Sequence, residues 1–192
     1  IGDRAFLYNY SLESIAFPDS VVMDTLAGSN TDQDGELLVG HSPNLKSVTL
    51  GSGFTVIPCR AFENTQVTPD SITFANQAGI TGIGVQAFFN DAGDIAVEEL
   101  GLTGFTGLTE LANNAFSNWS IQSLVLPTSL KELGTFNTVS DLNEVNWTDL
   151  TNLTTIADNA FYNSSQNEGS GLTSVDLSNT KVTSIGNNAF RN

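Results

Sequence analysis

Apolar residues recur along this chain in three linked patterns. The first is a triplet at spacing i, i+3, i+5: Leu12/Ile15/Phe17, Leu45/Val48/Leu50, Pro69/Ile72/Phe74, Val97/Leu100/Leu102, Ile121/Leu124/Leu126, Leu142/Val145/Trp147 and Leu172/Val175/Leu177. Its last two members are two residues apart, the period of a strand, so both point inward and the positions beside them point out. The second pattern is an apolar pair three residues apart: Phe54/Ile57, Ile80/Ile83, Leu108/Leu111, Leu130/Leu133, Leu153/Ile156 and Val182/Ile185. The third is the dipeptide Ala-Phe, at Ala5-Phe6, Ala61-Phe62, Ala87-Phe88, Ala115-Phe116, Ala160-Phe161 and Ala189-Phe190. Each unit therefore reads strand, turn, apolar pair, Ala-Phe.

The triplets start 33, 24, 28, 24, 21 and 30 residues apart, a period near the twenties that marks stacked repeats rather than one compact core. A single coil buries five or six side chains at roughly 1.5 to 3 kcal/mol each, against a backbone ordering cost of about 1 to 2 kcal/mol per residue. Neighbouring coils must supply the missing burial. The strands are expected to stack in parallel along one face. Ala-Phe is expected to form a short helical or 3-10 turn opposite, with Ala allowing close approach and Phe filling the core. One coil departs from the pattern: Leu130/Leu133 leads to Gly134-Thr135-Phe136, and Trp147 stands where the next triplet should end on an aliphatic residue.

The triplet carries the strand signature of leucine-rich repeats. With the ending seen in Ile156-Ala157-Asp158-Asn159-Ala160-Phe161 and Ile185-Gly186-Asn187-Asn188-Ala189-Phe190, the combined pattern resembles the BspA-type leucine-rich repeats of bacterial surface proteins. The Ala-Phe ending separates it from the common leucine-rich repeats, whose Asn ladder this chain lacks. The resemblance covers essentially the whole chain and implies an α/β-type leucine-rich-repeat solenoid, export to the cell surface or secretion, and adhesion to an extracellular protein or glycan. Residues 1–192 are expected to form one array of about seven coils, and the chain begins and ends in mid-repeat, as an excerpt of a longer protein would.

Charge narrows the partners. Six Lys plus Arg stand against 21 Asp plus Glu, a formal net charge of −15, and no window gathers basic residues to track phosphates, so nucleic acid is not an expected partner. The acidic residues are scattered as on a solvated surface. Charged residues make up only 14% of the chain and hydrophobic ones 40%, the balance of a folded soluble chain. No apolar run reaches the length of a transmembrane segment. Cys59 is the only cysteine, so no internal disulfide supports the fold.

The motifs that suggest chemistry are incomplete. Gly28 to Glu36 resembles the opening of a calcium loop, but position twelve, where a bidentate Glu belongs, is His41; a plain surface insertion is expected, with no metal and no cofactor. Insertions at Asn90–Asp94 and Ser164–Gly171 read as loops. His41 and Cys59 lack a third orienting group, and Gly82-Ile83-Gly84 is a turn rather than a phosphate loop. Glu99, Glu144 and Asp176 project from different strands with no enclosing pocket. Asn9, Asn118, Asn146, Asn152 and Asn163 open Asn-x-Ser/Thr sequons, and a glycan on Asn146 is expected to obstruct the strand surface.

The outward strand positions give the candidate binding face: Ser47, Thr49, Ser71, Thr73, Glu99, Ser123, Glu144, Asn146, Ser174 and Asp176. The surface is small, polar and mildly acidic, suited to an extended or basic partner. Three roles follow: a non-catalytic interaction or adhesion module, a spacer carrying other domains, and, last, a hydrolase.

Overall fold

In the computed structural model, residues 4–26, 38–93, 95–136, 139–162 and 171–191 are described. The acidic loop at 28–36, Asn163 and positions 164–170 of the later insertion lie outside them. Twelve short strands among the described residues wind into a parallel β-solenoid. They are β1 (Ser14–Ala16), β2 (Ser47–Leu50), β3 (Val56–Ile57), β4 (Ile72–Phe74), β5 (Gly82–Ile83), β6 (Ala96–Gly101), β7 (Glu110–Leu111), β8 (Ser120–Val125), β9 (Glu132–Leu133), β10 (Glu144–Val145), β11 (Thr155–Ile156) and β12 (Ser184–Ile185).

The triplets form the first face, in two sheets of order β1-β2-β4 and β6-β8-β10. Register keeps the inward residues stacked: Ile15 on Val48, Val48 on Ile72, Leu100 on Leu124 and Leu124 on Val145. The apolar pairs do more than link the other patterns. Their second members, Ile57, Ile83, Leu111, Leu133, Ile156 and Ile185, lie in a second parallel ladder of order β3-β5-β7-β9-β11-β12. Gly82-Ile83 is one of its strands, not a turn.

A hydroxyl ladder marks the corner before these strands. Thr55 Oγ1 donates to the Met23 carbonyl, Thr81 to Thr55, Thr109 to Thr81 and Thr154 to Lys131. Just past the strands the coils approach so closely that a Cβ on Gly84, Gly134 or Gly186 would lie 2.2–2.5 Å from backbone of the preceding coil.

The expected helical turns do not form, so the α/β description gives way to a β-solenoid. The three 3-10 helices among the described residues, Pro69–Ser71, Gln77–Gly79 and Trp147–Asp149, all lie away from Ala-Phe. The residue before each Ala has positive φ: Arg4 59°, Arg60 56°, Gln86 55°, Asn114 59°, Asn159 57° and Asn188 56°. A left-handed residue cannot continue a right-handed helical turn, and Asn tolerates that conformation best among residues with a side chain. Hence Asn-Ala-Phe recurs in the sequence.

The Phe rings do form the core. Phe62, Phe88, Phe116, Phe136, Phe161 and Phe190 stack in one column, with centroids 5.0–6.3 Å apart and planes within 29°. Leu38-Val39 holds the Ala-Phe place in the coil that follows β1, since Val39 N–H donates to the Ala61 carbonyl as Phe62 N–H donates to Ala87. The departing coil shortens its turn. Gly134 N–H still bonds the Leu111 carbonyl, but Phe136 follows two residues later, and Thr135 Oγ1 compensates by accepting Asn114 N–H (3.0 Å) and donating to Asn114 Oδ1 (2.8 Å).

Two expected strands change. The sixth stops at Val145 because Trp147 opens a 3-10 turn and is buried against Phe161 and Phe190. The seventh, around Leu172–Leu177, lies outside any ladder. Val175 is 42% exposed there, so burial supplies less to hold this segment in register.

Candidate functional site

The candidate face is built from outward positions of the first set of strands. Ser47 and Thr49 on β2 and Thr73 on β4 are exposed. Thr49 lies in register with Ala16 on one side and Thr73 on the other. On the second sheet, Glu99 of β6, Ser123 of β8 and Glu144 of β10 form one row. Ser123, half-buried, thus separates two exposed carboxylates, which at strand spacing stand roughly 10 Å apart. The row is acidic at both ends and small at its centre.

Four predicted residues are placed differently. Ser71 is half-buried in the 3-10 turn, where its hydroxyl accepts Thr68 N–H (3.0 Å) and donates to the Thr68 carbonyl (2.9 Å). Asn146 is not a display residue on a strand surface. It opens the Trp147 turn, its Oδ1 accepts Leu126 N–H (2.9 Å), and its Nδ2 donates to the Leu126 carbonyl (3.0 Å). The amide imitates the ladder bonds the sixth strand gives up. Ser174 and Asp176 are exposed on the last segment, outside any strand. Ser174 contributes its carbonyl to Trp147 Nε1 (3.1 Å). The Ser178 hydroxyl and N–H hold the Asp176 carboxyl below the usual carboxylate range.

Asp141 borders the acidic row just before β10. The hydroxyls of Ser120 and Ser140 donate to its carboxylate at 2.7 and 3.0 Å and hold its pKa below the ordinary value.

The second ladder carries an acidic pair that reading the triplets overlooks. Glu110 and Glu132 sit side by side in register on β7 and β9 and line an open pocket of about 240 Å³ together with Ala112, Leu133, Gly134 and Ala157. Burial, and then the neighbouring Glu132, push the Glu110 carboxyl above its ordinary range. The sequence signal was the Glu-Leu dipeptide at the same repeat position in Glu110-Leu111 and Glu132-Leu133. Two carboxylates on adjacent strands repel.

His41 and Cys59 have separate surroundings. Cys59 is buried and its Sγ lies 3.2 Å from the Leu26 carbonyl oxygen. The His41 ring meets Tyr8, Glu63 and Asn64. Among the described residues, no group of three or more His, Cys, Asp or Glu is placed to hold a metal ion, and no helix is long and apolar enough to cross a membrane.

Comparison with known proteins agrees with this geometry. No curated protein and no solved structure matches the chain. The family model for the BspA type leucine rich repeat region matches in six copies, over residues 39–97 and 97–192. Coils of triplet strand, short second strand and left-handed Ala-Phe turn, matched over most of the length, place this chain in the BspA-type leucine-rich-repeat family.

Proposed function

We propose that this chain is a non-catalytic interaction module of a surface or secreted protein, acting as one repeat array that binds an extracellular protein or glycan through the strand face. The observation that carries the reading is the in-register row Glu99–Ser123–Glu144 on one sheet, with a second outward pair, Thr49 and Thr73, in register on the other sheet at the position that Gly101 and Val125 hold on the first. These residues are exposed or half-exposed on a backbone fixed by ladder bonds. Side chains so placed lose little further freedom on binding, which favours affinity. The two carboxylates favour a basic extended partner and speed its encounter. The BspA-type repeat supports placement at the cell surface, as a family property.

A hydrolytic reading is weaker. Glu99 and Glu144 are exposed on an open face, whereas carboxylate catalysis needs an enclosed pair. A spacer role predicts that substitutions on this face change nothing.

The test is binding of the purified chain to an array of extracellular-matrix proteins and glycans, beside a Thr49→Ala/Glu99→Ala/Glu144→Ala variant shown to melt normally. Selective binding that the variant loses supports the face. Binding that the variant retains moves recognition elsewhere, and no binding by either favours the spacer.

A further inference from the structure

The three strands that carry the row Glu99–Ser123–Glu144 end at a pocket. β6, β8 and β10 stop at Gly101, Val125 and Val145, and the turns that follow them line an open pocket of about 140 Å³. Thr103 and Thr106 come from one coil, Leu126, Pro127 and Thr128 from the next, and Asn146 and Asp149 from the third. The irregular coil supplies the last two. With Trp147 turned inward, the chain enters a 3-10 turn over Trp147–Asp149, and the two bonds from the Asn146 amide to Leu126 tie that turn to the coil before it.

The lining divides into two kinds. Leu126 and Pro127 are buried and give an apolar wall, whereas Thr103, Thr106, Thr128 and Asp149 are exposed. Among the described residues, none of the three threonine hydroxyls is hydrogen-bonded and Asp149 has no cationic partner. Asp149 Oδ2 accepts Asn146 Nδ2 at 3.3 Å, which leaves Oδ1 unengaged.

We infer that this pocket is an anchor site for a lysine side chain of an extended partner, an inference that rests on the strand-face reading for the rest of the partner's chain. A lysine stem packs on apolar surface while its charged head stays among polar groups, as the Leu126–Pro127 wall and the ring of oxygens allow. The ammonium carries three rotatable donors, which Asp149 Oδ1 and the threonine hydroxyls can accept. A guanidinium binds best through two parallel bonds to both oxygens of a carboxylate, and here Oδ2 is already taken. A calcium ion draws on several carboxylates and the pocket has one, while an anion meets the charge of Asp149. At ~30 Å³ for each water-sized group, a pocket of about 140 Å³ holds roughly five, enough for the four-carbon stem and ammonium of lysine.

The placement fits the strand face. Asn146 lies two residues past Glu144, and Thr103 four past Glu99, roughly 7 to 13 Å along the strands. An extended partner can therefore set one side chain on the acidic row and a lysine two to four residues away in the pocket.

The test is an NMR titration of the isotope-labelled chain with hexalysine, hexaarginine and hexalysine acetylated on every side chain. Hexalysine is expected to shift the backbone amide signals of Thr103, Thr106 and Thr128 to saturation, to bind about tenfold tighter than hexaarginine, and to lose its effect on these signals when acetylated. Asp149→Asn should weaken hexalysine about tenfold, and Thr106→Val, which keeps the shape and removes one hydroxyl, about threefold. The inference is overturned if hexalysine leaves the three threonine signals unmoved, if hexaarginine binds as tightly, or if Asp149→Asn weakens both peptides alike. The strand-face triple variant separates the two readings. Pocket signals that hexalysine moves with unchanged affinity in that variant would refute the strand face and support the pocket, whereas shifts confined to Glu99, Ser123 and Glu144 in the unaltered chain would keep the face and overturn the pocket.

Discussion

Removing one ring from the middle of the Phe column should be among the most costly single changes in the molecule. Phe116 is buried and touches three aromatic neighbours: Phe88 at 5.0 Å and 3°, Trp119 at 5.2 Å and 77°, and Phe136 at 6.3 Å and 15°. Truncating a buried Phe to Ala costs about 3 to 5 kcal/mol. Aromatic pairs contribute roughly 0.5 to 1.5 kcal/mol each beyond their buried area, which places Phe116→Ala in the upper half of that range, at about 4 to 5 kcal/mol. In a solenoid the loss falls on the interfaces with both neighbouring coils. With a urea dependence of about 2 kcal/mol per molar, the unfolding midpoint should fall by roughly 2 M. Phe190 is the internal control, since it is only partly buried and meets Phe161 and Trp147 at the column's end; Phe190→Ala should cost about half as much or less. The assay is equilibrium urea unfolding of both variants followed by far-UV circular dichroism. A midpoint for Phe116→Ala within about 0.5 M of the unaltered chain, or equal losses for the two variants, would refute the column as the main core element.

Four other outcomes are expected. Gly84→Ala places a Cβ 2.5 Å from the Cys59 nitrogen and should lower stability by about 1 to 3 kcal/mol through overpacking, read as a drop in thermal midpoint. Asn146→Ala strands the Leu126 N–H and carbonyl bonded by its amide and should cost about 1 to 3 kcal/mol; normal melting would return Asn146 to the list of display residues. The raised pKa of Glu110 removes stability as pH climbs from the ordinary Glu range through that raised value, and Glu132→Gln should bring its carboxyl-carbon NMR titration closer to the ordinary range and flatten this loss. Asp141 runs the other way: its lowered pKa gives stability that is present above the unfolded value and lost as pH falls through the folded one. Ser120→Ala should therefore raise the Asp141 midpoint in the same experiment.

Much of the solenoid was legible because each coil repeats the same burial problem. The i, i+3, i+5 triplets mark inward strand positions through the two-residue period alone, and the recurring Phe marks a column that only stacked coils can bury. The candidate face followed from the same period, so Thr49, Thr73, Glu99, Ser123 and Glu144 stand where alternation puts them. Periodicity did not reveal the second ladder. Two-residue strands such as Glu110–Leu111 carry no alternation of their own, and only pairing with the same segment of the next coil makes them strands.

The remaining differences arise between coils. The left-handed residue before each Ala excludes a helix, yet Arg60 and Gln86 occupy that place as well as Asn, so residue type did not reveal it. Asn146 has the sequence position of a display residue and became a backbone partner only because Trp147 turned inward and left Leu126 without its ladder bonds. Tyr8, His41 and Asn64 are 33 and 23 residues apart, and no local pattern joins them; the stacking of coils brings them into one row. The sequence by itself determined the repeat, its inward positions and its family. The tertiary structure decided which polar side chains the backbone uses and which it leaves to solvent, because hydrogen bonds between coils depend on register across the stack rather than on order along the chain.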